Sequence, residues 1–145
     1  MKQQPIMRVV CEGQAPKYAN EKAAGLDLRY CGTETVRISP GERVSLKTGL
    51  RVEIPSGYFG LVAIRSGLGF RGLILTNGIG VIDEDYRGEI GLSVNHMGEE
   101  PIVIEPGERV AQLILVPYVQ GRLEFVQELS ETDRGSGGFG SSGRF

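Results

Sequence analysis

Gly80-Val81-Ile82-Asp83-Glu84-Asp85-Tyr86-Arg87-Gly88 reads as a strand end, a tight turn and the start of a second strand. The apolar run Ile79, Val81 and Ile82 delivers a carboxylate, Asp83, at its end. Gly88 then opens an alternating run, Glu89–Asn95, with apolar residues at every second position. Period-two alternation bounded by glycine and acidic residues signals a half-buried strand. A strand that ends in an acid, with an aromatic three residues on, is also a common way to display side chains beside a pocket.

Outward from this stretch the same pattern repeats. Candidate strands are Met7–Val10, Leu26–Tyr30, Thr35–Ile38, Arg43–Thr48, Leu50–Ile54, Tyr58–Arg65, Leu73–Thr76, Gly80–Ile82, Glu89–Asn95, Ile102–Ile104, Arg109–Tyr118 and Leu123–Val126. No segment holds a 3.6-residue apolar period over three turns. Glycine supplies 22 of 145 residues, roughly twice the usual share of about 7%. Many short strands with regular turn signals imply an all-β fold, a jelly-roll-like β-barrel. One internal echo supports it. Val36-Arg37-Ile38-Ser39-Pro40-Gly41-Glu42-Arg43-Val44 resembles Val103-Ile104-Glu105-Pro106-Gly107-Glu108-Arg109-Val110. Pro-Gly fits the centre of a type II turn, so the echo reads as repeated turn chemistry.

The length suits one domain, residues 1–129, followed by a segment of different composition, residues 130–145. Ser130–Phe145 holds five glycines, four serines and one large apolar residue before Phe145. Such a segment buries too little apolar area to offset its ordering entropy and is expected to be a mobile tail. Arg134 and Phe139 on this glycine-rich tether are what a closing lid needs to clamp a phosphate and cover a ring.

The net charge of -2 favours neither nucleic acid nor an anionic membrane as partner. No apolar run approaches the roughly 20 residues of a membrane span, and the start lacks the apolar segment of a signal peptide. A cytoplasmic protein is the expectation, with Cys11 and Cys31 reduced. With His96 they make only three Cys/His residues, too few for the usual structural zinc site. His96 reads as a polar residue opening the turn at Met97-Gly98, and its isolation argues against a Ser-His-Asp or Cys-His nucleophile.

Further segments carry chemical potential. Arg65-Ser66-Gly67 offers a guanidinium fork, a hydroxyl and an unhindered amide, which converge well on phosphate oxygens, although the tripeptide is also an ordinary turn. Asp27, in Ala24-Gly25-Leu26-Asp27-Leu28, faces away from its flanking leucines and is either functional or solvent-side. Gln112 interrupts an apolar strand as a site residue or an exterior polar one. Gly135, Gly137 and Gly140 form a G-x-G-x-x-G, but the strand, helix and acid of a dinucleotide fold are missing around it.

Five segments, taken in order, resemble the trimeric dUTP diphosphatase (dUTPase) family: Ala24–Leu28, Arg65–Leu68, Asn77–Gly88, Gly107–Leu113 and Arg134–Gly143. The set spans nearly the whole chain. Ile64 stands where proline is frequent in that family and Gly69 where alanine is usual. The resemblance implies hydrolysis of dUTP to dUMP and pyrophosphate with Mg²⁺. It makes Asp83 the general base for the attacking water and Tyr86 the ring that packs on deoxyribose. It gives the uracil edge to Asn77 and the backbone at Gly80, and the phosphates to Arg65, Ser66, Gly67 and Gln112. Asp27 would hold the waters of Mg²⁺, Arg134 would reach the phosphates from the tail, and Phe139, with Gly140 beside it, would cover the base. The resemblance also implies a homotrimer whose sites are shared between chains. Two other classes fit parts of the pattern. A dCTP deaminase shares the fold but needs a glutamate after the Tyr/Gly turn, where Ile90–Gly98 holds no acid. A silent dUTP-binding regulatory protein would not need the complete set of Asp83, Tyr86, Arg134 and Phe139.

Overall fold

The computed structural model describes residues 4–145. Ten strands and one short helix follow one another along the chain: β1 (Arg8–Cys11), β2 (Leu26–Arg29), β3 (Val36–Ile38), β4 (Arg43–Glu53), β5 (Tyr58–Ile64), α1 (Ser66–Phe70), β6 (Leu73–Leu75), β7 (Gly80–Ile82), β8 (Glu89–His96), β9 (Ile102–Ile104) and β10 (Arg109–Pro117). They form a sheet of order β1-β4-β8-β6, a second of order β2-β10-β5-β7 and a ribbon β3-β9. Every pairing is antiparallel. No helix among the described residues is long and apolar enough to cross a membrane.

The architecture is jelly-roll-like, as expected, but its ladders do not close into a continuous barrel. A short bond at the corner joins the two larger sheets instead, Cys31 N–H to Lys47 O at 2.9 Å. The inward residues of all three sheets share one core. Leu28, Ile38, Leu46, Leu73, Ile90, Leu92, Ile104 and Leu113 are almost completely buried in it. Truncating a leucine in such a position costs about 2–5 kcal/mol.

The two strands expected at Arg43–Thr48 and Leu50–Ile54 are one strand. Thr48, Gly49 and Leu50 together face Ile90 where the β4–β8 register shifts. Gly49 takes a left-handed φ of +64°. Its N–H donates to Glu89 Oε1 at 2.9 Å, and the Thr48 hydroxyl donates to Ile90 O at 2.6 Å. Two extra residues restore the in–out phase, so the strand continues. The internal echo is repeated turn chemistry that also pairs: β3 lies against β9, Ile38 opposite Ile102. Both Pro-Gly turns place glycine at positive φ, +82° at Gly41 and +84° at Gly107. In both, the glutamate after the glycine accepts from the first residue's N–H, Glu42 from Ser39 at 2.7 Å and Glu108 from Glu105 at 2.9 Å.

One expected strand is absent. Leu123–Val126 is not a strand; it runs irregular and exposed, with Phe125 93% accessible. Its β-forming residues find no strand edge beside them, and β propensity without a partner does not make a strand. Arg65-Ser66-Gly67, readable as an ordinary turn, opens a single helical turn, Ser66–Phe70, closed by Leu68 N–H and Gly69 N–H to Arg65 O at 3.1 and 3.0 Å. His96 ends β8 and opens the turn at Met97-Gly98, as expected, and it is fully buried there. Its ring bonds Glu100 O at 2.6 Å and Gly98 N–H at 3.3 Å, which secures the sharp 96–100 connection.

Candidate active site

The 73–82 segment is built to open a slot. β6 pairs only with β8, and β7 pairs only with β5. The two strands are neighbours in sequence yet belong to different sheets, so residues 76–79 cross between them. The turn is held locally by Gly78 N–H to Leu75 O and Ile79 N–H to Asn77 O, each 2.9 Å. Between the parted strands lies a cleft of about 350 Å³, lined among others by Val62, Asn77, Gly80, Ile82, Gly91 and Ser93. Gly80 is required here, because a Cβ would lie 2.8 Å from Val62 Cβ. Asn77 is exposed at the mouth. A narrow slot rimmed by backbone amides and one carboxamide suits a flat, hydrogen-bonding ring.

The loop after β7 carries the carboxylate. Asp83 is exposed and lines a second cavity of about 570 Å³ with Phe59, Val81, Glu84, Asp85, Tyr118 and Gln120. A turn returns the chain, Tyr86 N–H bonding Asp83 O at 3.1 Å. The Tyr86 hydroxyl donates to Glu89 O at 2.9 Å, and its ring lies over Gly88, where any Cβ would collide with it. The ring is thereby fixed beside Asp83 while 44% of the residue stays accessible. Partial burial, and then the Glu84 carboxylate 3.3 Å from its hydroxyl, push the Tyr118 phenol above its ordinary pKa, so it donates to Glu84 at neutral pH.

A separate cluster occupies the sheet β2-β10-β5. Gln112 stands opposite Asp27 on one side and Ala63 on the other. These three share the face turned away from the core. The Gln112 side chain lies over Gly25, whose Cβ would sit 2.8 Å from Gln112 Cβ, so only glycine fits there. Asp27 is not solvent-side: it is buried, and its Oδ2 accepts from Arg109 NH1 at 3.3 Å. The Lys17 carbonyl takes the Asp27 N–H at 3.2 Å, which lays the segment around Lys17 and Tyr18 along the outer edge of β2. Ile64, paired with Ala111, leads directly into Arg65, Ser66 and Gly67. Arg109 is the functional-looking residue missed in the sequence; its signal was a cation on the strand that also carries Gln112.

Register separates the two clusters. Ile82 pairs with Gly60, which sets Asp83 beside Phe59 at the start of β5, whereas Arg65 follows its end. Six residues of extended strand span about 20 Å. A chain's own Asp83 is therefore far from its own Arg65. The tail residues are also apart. Arg134 is exposed with its Nε bonded to Gly137 O at 2.8 Å, and Phe139 is fully exposed at a left-handed φ of +48°. Gly140, φ +88°, turns the chain away beyond it. Among the described residues, every hydrogen bond of the 119–145 segment stays within that segment.

Comparison with known proteins fits this layout. A family model described as dUTPase matches residues 12–143. The chain belongs to the dUTPase family. It is 47% identical over 135 residues to a deoxyuridine 5'-triphosphate nucleotidohydrolase of Acinetobacter baylyi, covering 92% of this chain and 90% of that protein. A Klebsiella pneumoniae protein of the same description is 47% identical over 131 residues, covering 89% and 86%. Among solved structures, the Staphylococcus bacteriophage 80alpha dUTPase with dUPNHPP superposes at a TM-score of 0.83, with 30% identity over 96% of this chain and 99% of that one. The dUTPase of phage phi11 of S. aureus gives 0.76 at 25% identity, over 88% and 99%.

Proposed function

We propose that this chain hydrolyses dUTP to dUMP and pyrophosphate by attack of water on the α-phosphorus. The observation that supports this reading is the slot between β6 and β7, followed directly after β7 by the turn that carries Asp83 and Tyr86. The base enters the slot and is read by Asn77 and the backbone around Gly80. A ring bearing the wrong exocyclic group leaves buried polar atoms unpaired, which is how such a slot rejects cytosine. The Tyr86 ring packs on the sugar and leaves no room for a 2′-hydroxyl. Asp83 orients the water and takes its proton. β8 holds no acid after Glu89, which removes the glutamate a deaminase would need.

The triphosphate is bound by Arg65, Ser66, Gly67 and Gln112. Mg²⁺ fits this arrangement. No group of three Asp, Glu, His or Cys converges among the described residues, but Mg²⁺ keeps waters and prefers phosphate oxygens, so no cage is needed. Arg109 engages only Oδ2 of Asp27, leaving Oδ1 to accept from a metal-bound water. When bound, the ion would neutralise charge on the pyrophosphate leaving group. The 20 Å gap between Asp83 and Arg65 of one chain supports a homotrimer in which one chain's slot faces another's phosphate cluster. The unanchored tail, residues 130–145, is then a mobile lid that brings Arg134 to the phosphates, with Phe139 and Gly140 over the base. Two unpaired cysteines, Cys11 and Cys31, suit a cytoplasmic setting.

Pyrophosphate release measured across dUTP, dCTP, dTTP and UTP tests the reading. dUTP should exceed each of the others by at least about 10²-fold in kcat/KM, the discrimination expected where a wrong group strands buried polar atoms. Comparable turnover of dCTP would refute the slot assignment. Tyr86→Ala should raise kcat/KM for UTP relative to dUTP. If both specificity constants fall by the same factor, Tyr86 is a packing residue and not a gate.

A further inference from the structure

We propose that Glu84 is a positioning residue that holds the Asp83 loop in place by tying it to the base of the C-terminal arm. The proposal rests on the assignment of Asp83 as general base. Residues 83–88 have few ties of their own. Tyr86 N–H to Asp83 O, and Arg87 NH1 to the carbonyls of Glu84 and Tyr86, lie inside the loop. The Tyr86 hydroxyl reaches only Glu89, the next strand's first residue. Among the described residues, the hydrogen bonds joining this loop to elements remote in sequence all end on one atom, Glu84 Oε2. It accepts Gly57 N–H at 2.8 Å and the Tyr118 hydroxyl at 3.3 Å.

Those two partners are themselves joined. Gly57 O accepts Tyr118 N–H at 3.2 Å, and Gly57 sits at φ +83° in the β4–β5 turn. The Tyr118 ring meets Phe59 edge-on, 6.4 Å between centroids at 67°. Edge-to-face geometry of this kind is favourable and fixes the ring. Glu84 therefore grips a rigid corner, and Asp83, one residue earlier, points into the cavity that this corner walls. A carboxylate accepting two donors makes stronger, more directional bonds than a neutral acceptor. Tyr118 is also the last residue of the chain to bond the β-fold before the unanchored segment begins. The same carboxylate thus sets both the base and the point from which the arm departs.

The test compares Glu84→Ala, Glu84→Gln, Tyr118→Phe and the double variant Glu84→Ala/Tyr118→Phe, with melting temperature, kcat and KM for dUTP. Loss of the tether should lower kcat by roughly 10–10²-fold, the effect of about 1 Å of misplacement at a reacting group, with KM little changed. Glu84→Gln keeps an amide oxygen for both donors and should recover most of kcat. Tyr118→Phe keeps the ring against Phe59 and should give a smaller fall. The double variant should be no slower than Glu84→Ala, because the hydroxyl has already lost its partner. Near-normal kcat in Glu84→Ala, or equal losses in Ala and Gln variants, would overturn the tether. If Glu84→Ala does not fold, Tyr118→Phe carries the test alone, and a kcat equal to the parent's would overturn the tether. Asp83→Asn measured alongside separates the two levels: full activity there refutes the base assignment itself, whereas a slow Asp83→Asn with a fast Glu84→Ala refutes only the tether.

Discussion

Asp83→Asn is expected to bind dUTP about as well as the parent chain and to hydrolyse it roughly 10²–10⁴-fold more slowly, the usual worth of a positioned general base. The carboxamide matches the carboxylate in shape and can still orient a water, but it cannot take the proton. Asp83 makes no side-chain hydrogen bond among the described residues, so nothing in the fold depends on its charge. Melting temperature should stay unchanged. The measurement is single-turnover hydrolysis beside equilibrium binding of a non-hydrolysable dUTP analogue. Near-normal turnover with intact binding would remove Asp83 from its role. A loss of binding as large as the loss of rate would instead make Asp83 a ligand for the sugar or metal.

The strands were legible because their burial follows period-two alternation. In β8, Ile90, Leu92, Val94 and His96 point inward, and the polar residues between them do not. The Gly49 bulge was not legible. Glycine within a run signals either a break or a bulge. The choice was made by a carboxylate forty residues away, Glu89, bonding the Gly49 N–H. Leu123–Val126 shows the complementary failure. Its composition is that of a strand, but a strand also needs an edge, and no edge of this chain lies beside it.

The site divides along the same line. Asp83, Tyr86 and Asn77 could be singled out locally, since they lie in the two turns that flank β7. Gln112 and Asp27 were ambiguous from spacing alone; the β2–β10 register places them directly opposite on one face. Asp27 was half-misread as possibly solvent-side. Alternation correctly turned it from the core, but Arg109 reaches over it and the chain around Lys17 runs along the edge of its strand. Cover of this kind leaves no periodic trace in sequence. That β6 and β7 part into separate sheets could not be read either, because sequence neighbours usually pair. Yet this parting makes the slot.

The tail should prove separable from the fold and indispensable to turnover. A truncation lacking Arg134–Phe145 removes residues whose hydrogen bonds, among the described residues, reach no further back than Thr132, so its melting temperature should match the full chain. Its activity should almost vanish, since the truncated site lacks both the phosphate-reaching Arg134 and the base-covering Phe139. A large fall in melting temperature would mean that the segment is structural. The shared site makes a sharper demand. Asp83→Asn and the truncation should each be inactive alone, and should regain activity when unfolded together at equal amounts and refolded. A working site needs its Asp83 from a truncated chain and its tail from an Asp83→Asn chain. Random mixing makes each choice a half, so about a quarter of sites should work in a symmetric trimer built from heterologous contacts. If one chain supplied both Asp83 and tail to a site, every site would lack one of them and no mixture could recover. Mixed trimers, verified by mass and devoid of activity, would refute the sharing of sites while leaving dUTP hydrolysis by the parent chain untouched.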